Sequence, residues 1–284
     1  TSSPDAYDFI YDENLDYNLV FGLESVEGDP SLEILINSGV LRCGFETPLW
    51  VTVINDGCVP FAGSLDFILP TETLFLSAQP APDEQFDQGL RYFIDTLQPG
   101  TSSLIRMELR LPDESFVGLP INFSVTAEFA TADSLLPMTP VGYTEILRCA
   151  IDPNDKQVLP SRQEPSGSNY TQIDETLTYT VRFQNTGNDT AFTVRIEDQL
   201  SDNLDLGTFT PLAASHPYKA TLNNAGLAVF LFEDILLPDS LTNPTRSQGF
   251  VSFSINTKES LIDFTRIRNT AGIFFDFNQP IITN

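Results

Sequence analysis

Histidine is almost missing from this 284-residue chain: His216 is the only one. A multi-histidine metal site is thereby excluded, and a Ser-His-Asp triad would depend wholly on His216, which Pro217 follows. Basic residues are scarce too, with 14 Lys and Arg against 39 Asp and Glu and a formal net charge of −25. Such a surface repels phosphate backbones and anionic headgroups, so neither a nucleic-acid partner nor direct membrane insertion is expected. It suits Ca²⁺, high salt, or solvation of a cell-surface protein. No apolar run approaches the roughly 18 residues of a membrane span. The three cysteines (Cys43, Cys58 and Cys149) contain no C-x-x-C spacing. There is no G-x-S-x-G, no phosphate-binding loop and no dinucleotide fingerprint. No carboxylate pair stands out among the 39 acids. The expectation is a protein that is not an enzyme. Methionine occurs only at Met107 and Met138, and the chain opens Thr1-Ser2-Ser3-Pro4, which reads as a processed or excised piece of a longer protein.

What the chain does have is strand pattern. Ile121, Phe123, Val125, Ala127 and Phe129 alternate with polar residues, as do Leu177, Tyr179, Val181 and Phe183, and Val251, Phe253 and Ile255. A period of two puts the apolar set on one face of a sheet with one buried side. Turn clusters such as Asn55-Asp56-Gly57 and Asn185-Thr186-Gly187 separate the runs, and 20 prolines against 16 glycines argue against long helices. Trp50, the one tryptophan, falls in a strand, where a core position is favoured over a sugar-stacking platform.

Three segments repeat in order. Trp50–Gly57 echoes Tyr179–Gly187, Tyr92–Pro99 echoes Leu231–Pro238, and Phe123–Phe129 lines up with Asn269–Phe275. Two copies of one strand plan predict an all-β chain of two tandem antiparallel β-sandwiches. The expected organisation is an N-terminal strand or arm over 1–19, a first sandwich over 20–149, a linker over 150–170 and a second sandwich over 171–284. The linker opens with Asp152-Pro153-Asn154-Asp155-Lys156 and continues through the Pro/Ser/Gly stretch from Pro160 to Asn169. With little slack and two prolines, it predicts a fixed angle between the sandwiches.

Cys149-Ala150-Ile151-Asp152-Pro153-Asn154-Asp155-Lys156, the run from Leu177 to Ala191 with its Asn185-Thr186-Gly187, Asp198–Asp205, Ser215–Tyr218, Asn269-Thr270-Ala271 and Phe275–Asn284 carry a resemblance. They resemble the Ig-like module of bacterial cell-surface proteins exported by type IX secretion, akin to the broader repeat of bacterial surface proteins. The resemblance covers residues 149–284 strongly, with the first sandwich similar to a degenerate partner. It implies an extracellular, outer-membrane-exported stalk, spacer or presentation domain of an adhesin or filament protein, without catalysis. It also implies a C-terminal sorting domain, here cleaved or omitted. Its partners would be other domains of the same surface protein or neighbouring subunits, with a glycan or protein ligand unidentified. The competing readings are the accessory region of an exported hydrolase whose catalytic domain lies upstream, and a carbohydrate- or protein-binding module in its own right.

Asp152, Asn154 and Asp155 are the candidate metal ligands. Hard oxygens gathered at a domain junction suit Ca²⁺, which takes six to eight at roughly 2.3–2.6 Å. The alternative is a turn, with Pro153 fixing φ and Asn154 and Asp155 capping local amides. No other cofactor is expected. For the cysteines, an extended strand separates Cys43 from Cys58. Cys149, ending a last strand antiparallel to that one, would return near Cys43. Cys43–Cys149 is the favoured disulfide, with three free thiols as the alternative. Bacteria of the type that the resemblance implies attach O-glycans at Asp-Ser/Thr-apolar triplets, which makes Thr96, Ser134, Thr190 and Ser240 candidates; the same triplets are ordinary turn chemistry.

The arm over 1–19 mixes Tyr7, Phe9, Ile10, Tyr11, Leu15 and Tyr17 with five acids. Such an apolar strip needs cover. It is expected to dock as an edge strand on its own first sandwich, or to add a strand to a neighbouring subunit and build a filament.

Overall fold

The computed structural model describes residues 31–284 apart from 133–134, 137–139, 150–152, 164–168, 173–174, 260 and 284. The arm over 1–19, Ser134 and Asp152 therefore lie outside the described residues. Strand alternation decides the local structure. Along Pro120–Ala130 the inward side chains Ile121, Phe123, Val125, Ala127 and Phe129 are buried, while Asn122, Thr126 and Glu128 between them are exposed.

The first half contributes β1 (Leu32–Ser38), β2 (Glu46–Asn55), β3 (Phe61–Ile68), β4 (Leu74–Gln79), β5 (Glu84–Phe86), β6 (Gly89–Leu97), β7 (Thr101–Arg110), β8 (Pro120–Ala130), β9 (Leu135–Leu136) and β10 (Val141–Ile146). The second half contributes β11 (Asp155–Leu159), β12 (Arg162–Gln163), β13 (Asn169–Tyr170), β14 (Thr176–Gln184), β15 (Val194–Gln199), β16 (Leu204–Ala214), β17 (Lys219–Leu222), β18 (Leu227–Phe232), β19 (Gln248–Thr257), β20 (Ala271–Phe275) and β21 (Ile281–Ile282). Among the described residues the only helical turn is a short 3₁₀ segment, Glu114–Phe116, capped by the Asp113 carboxylate.

These strands form two antiparallel β-sandwiches. The first pairs a sheet of order β1-β2-β7-β4 with one of order β10-β8-β3-β6-β5; the second pairs β11-β14-β19-β16 with β21-β20-β15-β18-β17. The two orders correspond position by position. The echoed segments land on matching strands: β2 with β14, β6 with β18, and β8 with β20. Each sandwich closes on its own apolar core, one around Phe61, Phe67, Phe123 and Phe129, the other around Phe183, Phe230, Phe232 and Phe253.

The repeated Asn-x-Gly has a structural reason. Asn55 and Asn185 are both buried. Asn55 Nδ2 donates to the carbonyls of Val59 and Leu97, each at 2.9 Å, and its Oδ1 accepts from Gly57 N at 3.1 Å. Asn185 does the same with Asp189 O (2.8 Å), Leu237 O (3.0 Å) and Gly187 N (3.1 Å). One amide thus fastens a turn and ties it to the end of the opposite sheet. Asn185→Ala should leave buried carbonyls unpaired and cost about 2–4 kcal/mol. Urea unfolding would measure it; a loss within experimental scatter would mean water takes over the amide's role.

Two expectations need correcting. The stretch 150–170 is not a plain linker. Asp155–Leu159 is the edge strand β11, registered on β14 with Lys156 opposite Val181, and β12 and β13 form a small ribbon. The second sheet needs an edge partner for β14 as β2 needs β1, and the polar Asp-Lys-Gln run supplies it. The sheets are also not all half-buried. On β2, β14 and β19 both faces are covered over most of their length, because the outer faces of these strands pack against the other sandwich.

Candidate functional site at the junction of the sandwiches

The junction is built on residues that strand alternation turns away from each core. Trp50 on β2 points out of the first sandwich and Phe250 on β19 out of the second. Their rings meet at 4.9 Å between centroids, with Ala213 and Leu35 packed around them. Trp50 is fully buried in a small apolar nucleus between the sandwiches, not in either main core. Polar ties surround it. Val40 N donates to Gln248 Oε1 at 3.2 Å, Arg106 Nη2 to Thr245 O at 3.2 Å, and Thr245 Oγ1 to Glu108 Oε1 at 3.1 Å.

The strongest tie is Arg182, whose side chain is 3 % exposed. Its guanidinium forks onto Asp155, Nε to Oδ1 at 2.7 Å and Nη2 to Oδ2 at 2.5 Å. Nη1 crosses the junction to Glu145 of β10, at 3.0 and 2.8 Å from the two carboxylate oxygens. Glu145 also accepts from the Tyr143 hydroxyl and from Ser38 Oγ at 3.2 Å. One cation thus neutralises an acid from each sandwich. Burial works against the charge on Arg182, yet Asp155 and Glu145 outweigh it and hold its pKa above the ordinary value. Burial likewise opposes the Glu145 charge, and Arg182 overcomes it, so its pKa falls below the usual range. Burial, with Glu145 beside it, pushes the Tyr143 hydroxyl up.

This network engages two of the side chains expected to hold Ca²⁺. Both Asp155 oxygens are taken by Arg182, and Asn154 Oδ1 accepts from Gln184 N at 3.1 Å. Asp152 lies outside the described residues. Among the described residues no cluster of three or more acids, histidines and cysteines is placed to hold a metal ion. At Asp155 a guanidinium stands where Ca²⁺ was expected. The melting midpoint should accordingly be the same with excess EDTA and with added calcium, since a ligand stabilises only by binding the folded state. A calcium-dependent rise would restore the metal.

Cys43 and Cys149 are joined by a disulfide, with Cα atoms 4.8 Å apart, and Cys58 is a half-buried free thiol. The route differs from the expected one. β10 pairs with β8, not with β2, and Arg148 then bridges Arg42 in parallel. Cys43 N donates to Arg148 O at 3.0 Å, which lays the two cysteine segments side by side. His216 sits 2.8 Å from the hydroxyl of its neighbour Ser215, which itself receives the Phe250 amide at 2.9 Å. Burial, reinforced by Arg106, drives the His216 pKa down to about 4. The imidazole is therefore neutral at physiological pH. Of the glycan candidates, Thr96 is exposed on β6, whereas Thr190 and Ser240 are half-buried in loops. Asp189 and Asp239 there bond backbone amides of Thr190, Leu241 and Thr242, as turn residues do.

Sequence reasoning missed Arg182, Glu145 and a second buried pair, Lys156 with Asp198. A usable signal existed for one of them. Val194, Ile196 and Asp198 occupy the inward positions of β15, so period two places a carboxylate in the core.

Residues 152–284 match a family profile described as a domain of unknown function, DUF7619. No curated protein matches the chain. Among solved structures, the chain is similar to the AgI/II polypeptide BspA C-terminal domain of Streptococcus agalactiae, with 13% identity over 90% of this chain and 98% of that one and a TM-score of 0.31. A collagen-binding domain from a Staphylococcus aureus adhesin gives 11% identity over 45% and 89%, with a TM-score of 0.28. The Enterococcus faecalis MSCRAMM ACE gives 9% over 91% and 93%, with a TM-score of 0.30. No described helix is long and apolar enough to cross a membrane.

Proposed function

We propose that this chain is a non-enzymatic structural and adhesive module of an exported bacterial surface protein, a stiff spacer that holds something away from the cell. The sealed junction carries this reading: an apolar nucleus around Trp50 and Phe250, plus a cation shared between acids of both sandwiches. A module whose task is distance or presentation needs a fixed angle between its units, and a buried interface supplies one that a flexible tether cannot. The strong negative charge suits an exposed, hydrated surface. The type IX route, a filament assembled through residues 1–19 and glycans at Thr96, Ser134, Thr190 or Ser240 belong to the same proposal.

Small-angle scattering of the whole chain should fit one arrangement of the two sandwiches. Antibodies against the chain should label intact producing cells. A scattering curve that demands a broad ensemble of angles would remove the spacer role. Labelling only after cell lysis would remove the surface.

A further inference from the structure

Lys156 of β11 and Asp198 of β15 meet in the middle of the second sandwich, with side chains 2% and 0% exposed. Lys156 Nζ donates to Asp198 Oδ2 and stands 4.7 Å from the Tyr179 ring centroid and 5.6 Å from that of Phe253. Asp198 is in register with Ala271. Asn269 lies two residues before Ala271, on the same side of an extended chain. The polar atoms of its carboxamide, Oδ1 and Nδ2, are buried with the Tyr179 hydroxyl beside them and no other hydrogen-bond partner, and Asp198 Oδ1 is buried with none. Burial pushes the Tyr179 hydroxyl up to about 12, with the neighbouring Asn269 side chain pulling it down. An amine paired with a carboxyl thus lies on the Tyr179 ring, and an amide lies at the same tyrosine.

As a purely structural device the group is hard to justify. Each buried polar group without a partner costs about 1–3 kcal/mol. A buried ion pair is often no better than well-packed apolar residues of similar volume. The first sandwich makes that comparison within the same chain. Ile36 faces Val51 as Lys156 faces Val181, and Phe67 faces Val125 as Asp198 faces Ala271. Phe123 holds the place of Asn269 in the repeat. Ile36, Phe67 and Phe123 are all buried, and the two rings stack. The strand plan therefore closes with apolar residues at all three positions.

We infer that Lys156 and Asn269 become joined by an intramolecular amide bond, with Asp198 as the catalytic residue. The unprotonated Lys156 amine attacks Cγ of Asn269. The Nζ–Cγ bond forms and the Cγ–Nδ2 bond breaks. The proton lost from Nζ passes through the Asp198 carboxyl to the departing nitrogen, which leaves as ammonia. No oxidant, metal or water is consumed. Burial favours the reactive forms: it lowers the Lys156 pKa to about 8 against the pull of Asp198, and it raises that of Asp198 against the pull of Lys156. The bond would tie the edge strand β11 to the segment entering β20, across the core, so that tension on the chain bypasses the sandwich.

The intact mass of the full chain, measured after disulfide reduction, tests this. The wild-type protein should be about 17 Da lighter than its sequence mass, one ammonia, and peptide mapping should yield a branched peptide joining Lys156 to Asn269. Lys156→Met and Asp198→Asn should each appear at full sequence mass. A wild-type protein at full mass overturns the inference even if both variants fail to fold. So does a loss that persists in Lys156→Met, because ammonia would then be expelled from another asparagine as it closes to an imide.

Discussion

Arg182→Met should cost about 3–5 kcal/mol of stability and loosen the junction, the penalty of stripping a buried charge network of its one cation. Asp155 and Glu145 would be left facing each other, 12% and 14% exposed, with methionine filling the space but offering no countercharge. Urea unfolding should show the loss, and scattering should show a wider spread of angles between the sandwiches. Neutralising both acids as well, in Arg182→Met, Asp155→Asn, Glu145→Gln, should recover much of the stability, since the cost lies in uncompensated charge and not in lost volume. The pH dependence follows from Glu145. Its folded pKa is held below the unfolded value, so the contribution is present above the ordinary carboxylate range and is lost as pH falls through the folded pKa. Arg182→Met should flatten that acid limb. A variant within about 1 kcal/mol of wild type would show that water already screens the network.

The legible part of the fold was the part set by one-sided burial. β8 alternates cleanly because one of its faces meets the core, and its pattern read directly as a strand. β11 reads as a linker in the sequence because Asp-Pro-Asn-Asp-Lys carries turn chemistry and charge. Both its acid and its base are buried by partners more than twenty residues away, Arg182 and Asp198. A sequence window cannot see a cation 27 residues on, so nothing near Asp155 in the sequence points to Arg182 as its partner. Arg182 was hidden for the opposite reason. It occupies the outward side of β14, where a charged residue is ordinary, and only the second sandwich packing there makes it a junction residue. Trp50 was legible as buried, but the surface that buries it belongs to the other repeat. Long-range charge pairing and contact between repeats are what local pattern leaves out.

The two sandwiches share a topology but are secured differently. The first has an apolar core at the three repeat positions where the second has Lys156, Asp198 and Asn269, and it has the disulfide instead. That division gives Cys43–Cys149 a measurable weight. The bond closes a loop with a sequence separation of 106, spanning nearly the whole first sandwich. In the chain-entropy description, opening a loop of that size costs about 4–5 kcal/mol at 25 °C, through the freedom returned to the unfolded chain. The folded state should hardly change. The Arg42–Arg148 bridge and the hydrogen bond from Cys43 N to Arg148 O keep the two segments together without the sulfurs. The paired variant Cys43→Ala, Cys149→Ala should therefore keep the circular dichroism of the wild type at low temperature yet unfold at lower urea. Cys58→Ala should sit near the parent, because that thiol is outside the bond. The loss should also fall unevenly: hydrogen exchange should rise in β1 to β10 and stay near wild type in β14, β15, β18 and β20, whose core the disulfide does not enclose. Equal losses in both sandwiches would mean that they unfold as one cooperative unit, with the junction as the stronger constraint. No loss at all would mean that the unfolded first half is already confined by other contacts, and the entropic account would fail.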